Sequence, residues 1–121
     1  KPTYNNVVDS IFTYLDSKIK KLESFNIKNI IIDPGFGFGK TIDHNFEILS
    51  NLEKFKEFEK PLLAGISRKS MIYKFLNISP DKALNGTSVL NTIALNKGAD
   101  ILRVHDILEA KECLALFNKL N

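Results

Sequence analysis

Three short apolar runs, each closing on a polar or glycine-rich segment, constrain this chain more than any other feature. Ile30-Ile31-Ile32 stops at Asp33-Pro34-Gly35, residues 61–66 run into Ser67-Arg68-Lys69-Ser70, and residues 99–104 end beside His105-Asp106. Runs of this composition suit strands buried on both faces. Proline removes a ladder donor and glycine permits a sharp turn, so the first run stops at Ile32. Helical sequence separates the runs, and strands that alternate with helices form parallel βα units. The predicted fold class is therefore α/β, with three carboxyl ends at one edge of a parallel sheet.

The helices read from spacing and caps. Val8, Ile11, Phe12, Leu15, Ile19 and Leu22 recur at intervals of three and four, predicting a helix over 6–24. A second is expected over 45–58, burying Phe46, Leu49, Leu52 and Phe55. Residues 70–76 read as a short helix. Ser79-Pro80 opens another that reaches Lys97, adjusted around Gly86 and stopped by Gly98. Asp106 and Glu109 read as a capping box, starting a last helix that partly buries Leu108, Leu114, Phe117 and Leu120. No repeat or linker interrupts this order, so 1–121 is expected to be one domain. Three strands cannot close an eight-stranded barrel, which needs roughly 250 residues. They form either a small open sheet or part of a barrel.

Composition narrows the partners. Seventeen Lys and Arg against fourteen Asp and Glu give a formal charge of +3, but the lysines are scattered, so no nucleic-acid partner is expected. No apolar run approaches the ~20 residues that span a bilayer, and no signal-peptide pattern is visible. A cytoplasmic protein without membrane contact is the expectation. Cys113 is the only cysteine, which excludes an internal disulfide and a cysteine zinc cluster; a buried helix-face position is expected for it. The chain opens on Lys1 without an initiating Met, in keeping with processing or with further sequence upstream.

Candidate chemistry gathers at the strand ends, where α/β folds bind ligands. Asp33 either caps the following turn or accepts paired N–H donors from a planar heterocycle. Gly35-Phe36-Gly37-Phe38-Gly39-Lys40 has neither the phosphate-loop nor the dinucleotide spacing. Phe36 and Phe38 are core anchors, or one covers an aromatic substrate, and Lys40 reads as a solvated loop charge. Ser67-Arg68-Lys69-Ser70 could receive phosphate or carboxylate, although Arg68 could equally form a structural ion pair. Arg103 and His105 share a strand face, and a diphosphate would satisfy both. Asp106 either pairs with Arg103 or caps its helix. His44 reads as a turn residue, and two histidines without a carboxylate cluster specify no metal site. Neither Ser67 nor Cys113 has an evident activating base, so no covalent nucleophile is expected.

Taken in order and spacing, Asp33-Pro34-Gly35-Phe36-Gly37-Phe38-Gly39-Lys40, Ser67-Arg68-Lys69-Ser70 and Arg103-Val104-His105-Asp106 resemble three successive motifs of the dihydropteroate synthase family. Pro2 to Tyr4 and the first helix resemble the region before that family's sixth barrel strand. The resemblance implies the C-terminal part of a TIM (β/α)8 barrel, about helix five to helix eight, with the full barrel not present. It implies a parent enzyme that condenses 6-hydroxymethyl-7,8-dihydropterin diphosphate with 4-aminobenzoate, releasing diphosphate, with Mg2+ assisting from ligands outside this segment. By the same resemblance, Asp33, Lys69, Arg103 and His105 are catalytic, and Phe38, Gly65, Arg68 and Ser70 also contact substrate. Asn45 and Lys40 are supporting loop residues. A homodimer through outer helices near the C-terminus is implied for the whole enzyme, and inactivity for this segment alone. The competing expectations are a pterin-binding methyltransferase serving a corrinoid partner and a small non-enzymatic α/β domain.

Overall fold

A computed structural model describes residues 6–37 and 39–121. Phe38 and the segment from Pro2 to Tyr4 therefore lie outside the described residues. The elements run α1 (Val7–Ser24), α2 (Ile42–Ser50), a 3-10 helix (Leu52–Phe58), β1 (Leu63–Ala64), α3 (Ser70–Leu76), a 3-10 turn (Pro80–Lys82), α4 (Leu84–Asn96), β2 (Ile101–Leu102) and α5 (Ile107–Leu120).

The three apolar runs lie side by side and parallel. Leu63 faces Ile101 and Ala64 faces Leu102, while Ile32 forms a single parallel bridge to Leu62. Ile32 N–H donates to Pro61 O at 2.8 Å, Leu63 N–H to Ile32 O at 2.7 Å, and Arg103 N–H to Ala64 O at 3.1 Å. The run over 61–66 is thus central, and the regular ladder is much shorter than the expected strands. The central run encloses one face, through Leu62, Ala64 and Ile66, while Leu63 on the other face is only half-buried, so burial on both faces is not met even there. Ile31 is 56% exposed while Ile32 is buried, which corrects the expectation for the first run: the face that carries Ile31 and Leu63 is left uncovered among the described residues.

Helices cover the sheet through Ile48, Leu49, Leu52, Phe55, Met71 and Ile72, and α1 adds Val7, Val8 and Ile19. Asn6 Oδ1 accepts Asp9 N–H at 3.1 Å, satisfying an otherwise orphaned donor at the start of α1. The second helix begins earlier than expected. Thr41 Oγ1 accepts His44 N–H at 3.0 Å and His44 Nδ1 accepts Thr41 N–H at 3.3 Å, a capping box with histidine in the reciprocal place. It tightens into a 3-10 helix at Leu52 instead of continuing as one α-helix to 58.

Two further expectations are corrected. Ser79 makes no side-chain cap bond, and Pro80–Lys82 is a separate 3-10 turn before α4, which then passes through Gly86 unbroken. Asp106 does not cap α5, because its carboxylate is held by Arg68. The helix α5 has no buried residue; Leu108 and Leu120 are 65% and 86% exposed, since its main packing is against α4 alone. Cys113 is half-buried there, with Sγ 3.7 Å from Ser88 O. Among the described residues no helix is long and apolar enough to cross a membrane.

Candidate active site

Because the runs are parallel, their carboxyl ends meet at one edge, and the first contact there is ionic. Asp33 Oδ2 accepts from Arg103 Nη1 at 2.8 Å, while Oδ1 accepts Gly35 N–H at 2.9 Å. Asp33 therefore closes its turn and holds the guanidinium at once, and it lines a cavity of about 320 Å³ with Pro34, Lys40 and residues of α1. Arg103 is paired with Asp33, not with Asp106. A Cβ on Gly65 would overlap the Arg103 guanidinium, so the absence of a side chain there leaves room for this arginine.

The glycine loop is fixed from beneath. Gly35, Gly37 and Gly39 have φ of +77°, +104° and +75°, conformations that favour glycine. Gly37 N–H donates to Asn45 Oδ1 at 2.7 Å, and Asn45 Nδ2 donates to Thr41 O at 2.9 Å. Asn45 is fully buried and ties the loop to α2. Lys40 is not simply a solvated charge: it is half-buried near Asp33, and burial lowers its pKa against the opposing pull of that carboxylate.

Lys69 reaches across from the second strand end and donates to Phe36 O at 2.7 Å. Burial, followed by the neighbouring Arg103 charge, lowers its pKa below the ordinary lysine value. Ser67 Oγ accepts His105 N–H at 3.1 Å and stands 3.0 Å from His105 Nδ1. The expectation that Ser67 lacks a nearby base is thus overturned. Gly65, Ser67, Lys69, Arg103, Val104 and His105 line one cleft of about 140 Å³.

Arg68 stands apart from that cleft's polar contacts. It adopts a left-handed φ of 55°, held by donation of its N–H to Thr87 Oγ1 at 3.0 Å. Its Nε and Nη2 grip the two Asp106 oxygens at 2.8 and 3.1 Å, and Nη1 donates to Asp81 O at 3.1 Å. The guanidinium bond holds the Asp106 carboxyl below its usual pKa, against the opposing effect of burial. Ser70 opens α3, a helix of only seven residues. Grooves of about 570 Å³ between α4 and α5 and about 260 Å³ between α3 and α4 gather no strand-end residues, whereas the one of about 320 Å³ takes in Asp33, Pro34 and Lys40.

Residues 1–105 match the family model described as pterin binding enzyme.

The chain belongs to that family.

This pterin-binding enzyme chain is 41% identical over 115 residues to dihydropteroate synthase of Escherichia coli K12, covering 93% of the chain and 41% of the relative. A solved structure of Yersinia pestis DHPS with a pterine-sulfa conjugate superposes with a TM-score of 0.95 at 36% identity, over 99% of this chain and 48% of that one. Xanthomonas albilineans dihydropteroate synthase with 4-aminobenzoic acid gives 0.94 at 33% identity, over 98% and 46%. The chain thus spans less than half the length of these relatives.

For a pterin-binding enzyme, the geometry adds residues that motif reading undervalued. Ser67 and Thr87 act through contacts 38 and 19 positions away, and no local spacing signals either. Among the described residues, no three His, Cys, Asp or Glu side chains gather to hold a metal. Asp33, the carboxylate that pairs with Arg103 of the cleft, is engaged by that arginine and by Gly35. The residues present therefore do not fit a magnesium site of their own.

Proposed function

We propose that this chain is the C-terminal part, about helix five to helix eight, of a (β/α)8 barrel that makes 7,8-dihydropteroate for folate biosynthesis. The parent enzyme joins 4-aminobenzoate to 6-hydroxymethyl-7,8-dihydropterin diphosphate and releases diphosphate. The observation that carries this reading is the Asp33–Arg103 pair, set beside Lys69 and His105 at one sheet edge. Relatives named dihydropteroate synthase, and structures holding a pterine-sulfa conjugate or 4-aminobenzoic acid, support it. Exposed Ile31, Ile107 and Leu108 on the flanks support further barrel strands beyond this segment.

The chemistry separates charge, and the pair suits that task. As the methylene carbon–oxygen bond breaks, its electron pair leaves with diphosphate and the pterin becomes cationic. Asp33 accepts the heterocycle's N–H donors and favours the cation, while Arg103 and His105 hold the anion. The amine lone pair of 4-aminobenzoate then bonds to the methylene carbon, and the nitrogen loses a proton to solvent. Lys69 lies between the pterin and aminobenzoate positions. Phe38 and the Ser70 hydroxyl receive the second substrate, Arg68 borders its pocket, and Gly65 leaves space at the pterin side. Magnesium assists from ligands outside this chain, and the enzyme is a cytoplasmic homodimer. Exposed Val89 and Ile93 on α4 and Leu116 and Leu120 on α5 support an outer-helix contact.

The test compares the 121-residue chain with a hybrid in which it replaces the matching part of the Escherichia coli enzyme. The hybrid is expected to form dihydropteroate and the isolated chain none. Product from the isolated chain would contradict its assignment as an incomplete site. A folded hybrid that binds dihydropterin diphosphate no better than methyltetrahydrofolate would contradict the synthase reading.

A further inference from the structure

The Ser67–His105 contact assigns a role to a hydroxyl that the proposed chemistry leaves unused. Ser67 is only 5% exposed, so its O–H needs a partner within the protein. One oxygen lone pair already receives the His105 N–H, at 3.1 Å. The nearby acceptor for the hydroxyl hydrogen is His105 Nδ1, at 3.0 Å. In the opposite arrangement Nδ1–H would donate to Oγ, and the buried hydroxyl hydrogen would have no acceptor in this contact. Ser67 is also poorly placed as a nucleophile, being enclosed and already accepting a backbone donor.

We propose that Ser67 is a positioning residue: its hydroxyl donates to Nδ1 of neutral His105 and fixes the Nε2–H tautomer. The ring then presents an N–H donor to the cleft without carrying a charge. That is useful beside Arg103 and Lys69, two cations that line the same cleft. A neutral donor adds a hydrogen bond to an anion there without adding charge repulsion. That the anion is a diphosphate rests on the function proposed above; the tautomer does not.

The experiment uses the 121-residue chain labelled with nitrogen-15 histidine, in buffer about two pH units above the ordinary imidazole value of about 6.5. The His105 signals are assigned by comparison with His105→Gln. A pyridine-like Nδ1 and a pyrrole-like Nε2 are expected. Ser67→Ala is expected to move the ring toward a mixture of tautomers, and Ser67→Thr, which keeps a hydroxyl, to restore it. A pyrrole-like Nδ1 in the unsubstituted chain overturns the proposal, and that reading needs no variant to fold. A tautomer unchanged in folded Ser67→Ala also overturns it. Inorganic diphosphate is then titrated into the hybrid: the His105 Nε2 signal is expected to shift, at several-fold higher ligand concentration in Ser67→Ala. With the tautomer as proposed, a signal indifferent to diphosphate overturns the diphosphate reading of the cleft and leaves the Ser67 assignment standing.

Discussion

Arg103 Nη1 stands 2.8 Å from Asp33 Oδ2, joining the first and third strand ends above Gly65 of the central one. The two residues are 70 positions apart, and parallel pairing brings them together. In the proposed reaction each partner would leave the other for a different part of one substrate, the carboxylate for the heterocycle and the guanidinium for its diphosphate.

Asp33→Asn tests the carboxylate half of that exchange. Removing the charge is expected to lower kcat/KM of the hybrid by about 10²-fold, the usual scale for losing one aligned electrostatic contact. The side chains are 33% and 56% exposed, so the ion pair itself contributes no more than about 1 kcal/mol to stability. Urea denaturation of the 121-residue chain should therefore change little. A large stability loss would mark Asp33 as mainly structural.

Gly65→Ala separates space from charge. The added methyl would meet the end of a flexible arginine, which can move aside at small cost to folding. Displaced from Asp33, Arg103 would no longer be aligned, and roughly 10-fold weaker binding of dihydropterin diphosphate is expected. Calorimetric titration of the hybrid measures it. Unchanged affinity would mean that the arginine position is unimportant.

Asn45→Leu removes the acceptor for Gly37 N–H and the donor to Thr41 O from a buried position. Thr41 O keeps the backbone N–H of residue 45, but Gly37 N–H is left unpaired, which should cost about 1–3 kcal/mol, read by urea denaturation. Asn51→Ala is the control, because its bond to Glu47 O is exposed and should cost less than about 0.5 kcal/mol.

Acid stability depends on Asp106. Its native pKa lies below the ordinary 3.8, chiefly through the Arg68 hydrogen bond. Its contribution is therefore fully present above pH 3.8 and is lost as pH falls through the lower native value. Asp106→Asn should make that acid limb shallower in denaturation curves taken across pH.

The parallel order and the shared edge were legible because buried strands, glycine turns and helix periodicity are local signals. Lys69 stood in a readable motif, whereas Asn45 lay outside all three and was expected only as a supporting loop residue. The partners were not legible: Asp106 satisfied every local rule for a cap, yet Arg68, 38 positions away, offers two charged donors and takes it. Likewise Ile31 has the composition of an enclosed strand, but what covers a face is decided by neighbours and not by the residue itself.

The most direct measurement is a crystal structure of the hybrid with dihydropterin diphosphate bound. The proposal predicts an open Asp33–Arg103 pair, with the carboxylate on the heterocycle's N–H groups and Arg103 and His105 on the diphosphate. A ligand bound elsewhere, with that pair still closed, would contradict it.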